Sequence, residues 1–179
     1  MPLKMTAAAD TAKPGAMATE IEIDVLFKCS SWKSNLPAAE PICRRAALTA
    51  IQSVFDNGDG PLEFSIVLAD DEFVQALNRE FRDQDKATNV LSFPADASDV
   101  PENFPKPLGD IILAYETTKA EATADGKELT DHLSHLVVHG VLHLLGADHQ
   151  NDAEAKEMER REISILAELG IADPQEKTE

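Results

Sequence analysis

All five histidines of the chain lie between residues 132 and 149, and their spacing is its main chemical signal. His139 and His143 are four residues apart in an apolar stretch of helical period, so their imidazoles leave one face about a turn apart. Gly146 follows, and glycine enters the left-handed conformation that ends helices at little cost. The chain can turn there and return His149 to the same point. Three neutral nitrogen donors around a divalent cation leave a coordination position open, which is the pattern of catalytic zinc; structural zinc is closed by four ligands. A lone histidine on an apolar helix is ordinarily a satisfied core residue. A pair at i and i+4 with a third beyond a glycine break favours metal binding by His139, His143 and His149. His132 and His135 sit on the same stretch, lining the site or capping the helix start, and neither is assigned as a ligand.

The spacing HxxxHxxGxxH is also that of metzincin proteases, which need a glutamate directly after the first histidine as general base. Gly140 stands there, which disfavours peptidase chemistry and leaves metal-assisted hydrolysis of another ester. Asp148 precedes the third histidine, placed either to orient a ligand imidazole or to cap the next turn.

The elements that must position these residues are short. Ile21–Phe27 alternates like a half-buried strand. Pro37 and Pro41 announce a helix that runs through Leu48, Ile51 and Phe55, and the turn cluster DNGDGP ends it. LEFSIVLA reads as a buried strand. Asp70 can cap a helix whose apolar face is Phe73, Leu77 and Phe81. TNVLSFP is a strand stopped by Pro94, DASDVPENFPKP a proline-rich loop, GDIILAY a fourth strand, and TTKAEATADG a short helix. LTDHLSHLVVHGVLHLLG is the long apolar helix carrying the histidines. NDAEAKEMERREISILAELG is a charged helix with Asn151 as cap, Glu154 three residues on and Gly170 as its stop. Four strands and about five helices without clean βαβ alternation predict an α+β fold: one small mixed four-stranded sheet flanked by helices, in a single domain over residues 20–172. Residues 1–19 are expected to form a disordered tail and not a signal peptide, and residues 173–179 a frayed end.

The chain has 179 residues, enough to bury roughly 70% of its unfolded surface. Its 33 acids against 16 bases give a net charge of −17. The acidity lies mainly after residue 86, with a net of −7 over 87–150 and −5 over 151–179. This excludes a generic nucleic-acid coat and disfavours adhesion to an anionic membrane. Cys29 and Cys43 exclude a disulfide-dense scaffold and fit a reducing compartment, with a single bridge between them as the alternative. With no stretch long enough to span a bilayer, cytoplasmic residence is the simplest expectation.

HGVLHLLGADH at 139–149 resembles the signature of the YbeY family of metal-dependent endoribonucleases, HGxLHLxGxDH, at every fixed position. LNREFRDQDKATNVLSFP at 77–94 resembles a second family block, with Ala87 where proline is usual, and GDIILA at 109–114 a third. The resemblance implies a small α+β fold and a zinc ion on His139, His143 and His149, with nickel or another divalent ion as the alternative. It also implies a functional arginine at Arg82. The implied activity is single-strand-specific RNA hydrolysis in maturation of the 3′ end of 16S ribosomal RNA and in ribosome quality control. The implied partners are precursor ribosomal RNA and the ribosome or small-subunit components, with no membrane and no DNA. A ribosome-assembly factor whose metal is mainly structural is the alternative.

Arg82 suits phosphoryl charge, because guanidinium binds phosphate through two parallel hydrogen bonds. Its plain alternative is a surface ion pair with Asp83 or Asp85. Lys86 would add phosphate attraction or be merely solvated. Thr88, Asn89 and Ser92 would bond substrate or finish a sheet edge. Phe93 would stack on a base or fill the core.

Overall fold

The computed structural model describes residues 20–55 and 60–176. The tail expected over 1–19, the first four residues of the DNGDGP turn and the last three residues of the C-terminal tail lie outside that range. Four strands, β1 (Ile21–Phe27), β2 (Leu62–Ala69), β3 (Val90–Pro94) and β4 (Lys106–Ala114), form one sheet in the order β1-β2-β4-β3. The pairs β1–β2 and β2–β4 are parallel, and β3 runs antiparallel to β4 at the edge. Among the described residues six helices surround it: α1 (Ser30–Asn35), α2 (Ala39–Gln52), α3 (Asp71–Arg82), α4 (Tyr115–Ala124), α5 (Leu129–Leu144) and α6 (Asp152–Glu168). The mixed sheet and single α+β domain are as expected. The helix count is one higher, because α1 is too short to carry a periodic signal. It is held by its one large residue: Trp32 is fully buried, donates Nε1–H to Ala69 O at 2.9 Å and meets Tyr115 edge-on.

β4 is buried on both faces, and its side chains alternate between two cores. Ile111 and Leu113 join the larger core with Ile23, Ile66, Leu68 and the inner faces of α2, α5 and α6. Ile112 and Ala114 join a smaller one with Val74 of α3 and Leu91 of β3. α5 lies against the larger face and is the most buried helix. Its close approach depends on Gly140, where a Cβ would stand 2.9 Å from Ile111 Cγ2.

Two expectations change. Lys106 and Pro107, expected to end the proline-rich loop, begin β4; Pro107 lies before the pairing with β3, which starts at Gly109, so its missing N–H falls outside that ladder. The buried residues of α3 are Val74 and Asn78, whereas Phe73 and Leu77 are half-buried and Phe81 is 61% exposed. The last turn of α3 runs past the core it packs on. As expected, Asp70 caps α3 by accepting from Phe73 N–H, and Asn151 caps α6 by accepting from Ala153 and Glu154 N–H.

Candidate metal centre

The site forms where the C-terminal half of α5 meets the chain returning from Gly146. Gly146 has φ +89, and the left-handed turn brings Ala147–His149 back over the helix end. His139 and His143 are half-buried and His149 is exposed. Their rings cluster, with centroids 4.5 Å apart for His139–His143, 5.1 Å for His143–His149 and 6.3 Å for His139–His149. One ring nitrogen from each lies within 4.8 Å of the others, so the three could hold one metal ion.

Their tautomers follow from their partners. Glu162 Oε1 lies 2.5 Å from His139 Nδ1, and a carboxylate can only accept, so Nδ1 carries the proton. His143 Nδ1 donates to Ala147 O at 2.9 Å for the same reason. The Nε2 lone pairs of both rings are left facing one another at 3.0 Å. Two lone pairs at that distance repel unless a cation or proton lies with them, so the donor set fits a bound cation. Burial, followed by the neighbouring His139 and His149, lowers the pKa of His143, against opposing effects of the Ala147 carbonyl and Asp148. This favours the neutral imidazole that a metal requires.

Glu162 is the important residue that the linear sequence conceals. It lies on α6 among the buried Met158, Ile165 and Leu166, and it bridges His139 and His135, whose Nε2–H donates to Oε2 at 3.1 Å. Burial alone raises a carboxyl pKa, but hydrogen bonds from His135 and His139, aided by their charges, outweigh it and hold Glu162 at about 2. A glutamate interrupting the apolar stripe of a charged helix was the available signal. His132 is braced in the same manner: its Nε2–H donates to Glu121 Oε2 at 2.8 Å, and Glu121 accepts Asn89 Nδ2 through both oxygens. Neither His132 nor His135 joins the donor cluster. Asp148 caps no helix, since Asn151 caps α6; its side chain accepts the neighbouring His149 N–H at 2.7 Å. Gly140, at the position of a metzincin glutamate, faces Ile111 of the sheet.

The imidazoles open into a cleft of about 540 Å³. Arg82, Thr88, Asn89, Ser92 and Asp148 also line it. Arg82 reaches it from the end of α3, where one N–H donates to Ser92 O at 3.2 Å and the guanidinium lies 5.9 Å from the Phe93 ring centre. Among the described residues the ion pair with Asp85 belongs to Arg79 and not to Arg82, whose remaining N–H groups have no protein partner. Lys86 is exposed and outside the cleft lining. Ser92 Oγ bonds to Gly140 O, tying β3 to α5 across the cleft floor. Among the described residues no helix is long and apolar enough to cross a membrane.

The family model for Endoribonuclease YbeY matches residues 31–170. A protein described as endoribonuclease YbeY from Paramagnetospirillum magneticum is 55% identical over 161 residues, covering 88% of this chain and 98% of its own. Another so described, from Azorhizobium caulinodans, is 53% identical over 155 residues, covering 86% and 96%. The solution structure of TM1509 from Thermotoga maritima matches with a TM-score of 0.56 at 25% identity, covering 82% of this chain and 88% of that one. By this match over most of its length, and with both histidine-bearing and arginine-bearing blocks inside the matched range, the chain belongs to the endoribonuclease YbeY family.

Proposed function

We propose that the protein is a zinc-dependent endoribonuclease that hydrolyses single-stranded RNA and acts in maturation of the 3′ end of 16S ribosomal RNA and in ribosome quality control. The observation that carries the catalytic part is the shared cleft: an arginine with free donors and a three-imidazole cluster line it together. The family membership supplies the substrate class. Zinc suits three nitrogen donors with an open position, and nickel or another divalent ion would satisfy the same donors.

In this reading His139, His143 and His149 hold the ion through neutral ring nitrogens, with Glu162 and the Ala147 carbonyl fixing the tautomers of the first two. When bound, a divalent ion supplies a Lewis acid that polarises a phosphoryl oxygen or acidifies water. Arg82 binds the non-bridging oxygens of the scissile phosphate and stabilises the charge that grows there as the phosphodiester breaks. Ser92 O orients the guanidinium by accepting one N–H. With three donors in the cluster and no fourth among the described residues, the site keeps a position for substrate, which disfavours a purely structural metal.

The net charge of −17 bears on targeting. An acidic body gathers little RNA by long-range attraction, so the ribosome or a small-subunit component delivers the substrate. The test uses wild type, His139→Ala and Arg82→Ala, with bound metal measured and both precursor ribosomal RNA and a peptide library as substrates. RNA cleavage should require both residues, with metal lost in the histidine variant alone. Cleavage of RNA by the metal-free variant at the wild-type rate would sink the proposal.

A further inference from the structure

We propose that Phe81 is a base-stacking platform, the subsite that receives an unpaired nucleobase next to the phosphate held by Arg82. The inference rests on the endoribonuclease reading above and adds to it a reason for single-strand specificity. Phe81 is a large aromatic residue left 61% exposed at the end of an otherwise amphipathic helix. Its spacing from Phe73 and Leu77 would suit a core residue, yet the core ends before it. It is not adrift, however: its ring stands edge-on to Phe93 at a centroid distance of 5.5 Å and an interplanar angle of 67°. One edge contact fixes the ring while the residue stays largely open to solvent.

The neighbours show what would lie on that ring. Arg82, the next residue, places its guanidinium over the same Phe93 and into the cleft of the three histidines. Arg82 and Phe81 are adjacent in the chain and both pack on Phe93, so the guanidinium that lines the cleft is followed by an aromatic ring just outside the cleft lining. A nucleotide presents the matching order, a phosphate followed by a flat base. Stacking requires only a π-face, so the platform accepts any base, but the base must first leave a duplex. A paired strand would keep its bases stacked on one another and leave Phe81 uncovered. The same stacking supplies local attraction that the acidic body lacks.

The test uses the full zinc-loaded chain as wild type, Phe81→Ala, Phe81→Leu and Phe81→Tyr. The binding probe is a cleavage-resistant 2′-O-methyl phosphorothioate oligonucleotide carrying 2-aminopurine at successive positions. The kinetic probe is the corresponding unmodified single-stranded RNA. Stacking quenches 2-aminopurine at one position in wild type and Phe81→Tyr. Phe81→Ala and Phe81→Leu should lose that quenching and bind roughly 5- to 100-fold more weakly, the range of one base–aromatic stack. KM should rise in parallel with kcat nearly unchanged, and the exposure of the side chain leaves folding unaffected. Equal quenching and affinity in wild type and Phe81→Ala would overturn the subsite while RNA cleavage by wild type left the nuclease reading intact. Quenching by a wild type that cleaves no RNA would overturn the nuclease reading alone. An absence of any binding by wild type would overturn the subsite too.

Discussion

Glu162 and His139 are joined across two helices by a bond of 2.5 Å from Nδ1 to Oε1. They lie on α6 and α5, and His135 holds the second carboxylate oxygen. The bond fixes the ring flip and the tautomer of His139 together, so Nε2 points at the other two imidazoles as an acceptor. A ligand whose orientation is set before the ion arrives loses less freedom on binding it.

Glu162→Gln keeps the shape and removes the charge. The amide can still accept from one histidine but no longer presents a full negative charge to His139. Metal affinity should fall about 10- to 100-fold, the usual cost of losing such a partner. Competition with a chelator indicator, read beside circular dichroism, checks this; unchanged affinity with an intact spectrum would reject the role.

The same carboxylate gives the metal-free protein a pH signature. Glu162 is held at about 2, below its ordinary 4.5, so its ionised form is stabilised by folding. That contribution is complete above pH 4.5 and is lost as pH falls toward 2. Its size is on the order of 3–4 kcal/mol at most, at about 1.4 kcal/mol per pKa unit. Urea unfolding of the metal-free protein between pH 6 and pH 3 should show stability falling with acid, and Glu162→Gln should flatten the part of that slope below pH 4.5.

The three-imidazole cluster is legible because its information is local: an i, i+4 pair and a glycine turn are properties of eleven consecutive residues. The strands of the buried sheet were readable because their composition reports burial directly. Glu162 was not, because its partner is 23 residues away and only the α5–α6 packing brings them together. Phe81 was misread for a related reason. Period places a residue on a face of its helix but does not say where the underlying core ends. Proline content points to loop at Lys106 and Pro107, although β4 starts there beyond the reach of the antiparallel β3.

Gly109 makes the pairing of β3 with β4 possible. Its φ is +127, and a Cβ there would stand 2.1 Å from Phe93 O and 2.9 Å from Ala95 N. Both obstacles are backbone, and neither can rotate away. Gly109→Ala should cost more than about 3 kcal/mol, since strained conformation and overpacking act together. Gly126→Ala is the control, because its φ is +65 but nothing lies within 4 Å of the added carbon. It should cost about 1–2 kcal/mol, the left-handed penalty alone. Urea midpoints of the two variants separate the effects, and equal losses would refute the steric part.

Arg82 tests whether the cleft uses a directional donor or only a positive charge. Its guanidinium is braced by Ser92 O and Phe93 and lines the same cleft as the imidazoles. Arg82→Ala should lower kcat/KM on RNA by about 100- to 1,000-fold, as for loss of one preorganised donor to a developing oxyanion. Arg82→Lys keeps the charge but loses the planar fork and the contact with Phe93, so it should recover little of that loss. Bound metal should equal wild type in both, because Arg82 contributes no donor to the metal cluster. Single-turnover cleavage with metal quantified on the same samples measures all three quantities. Full recovery by lysine would mean that the site requires charge without geometry, and the bidentate phosphate contact would then be wrong.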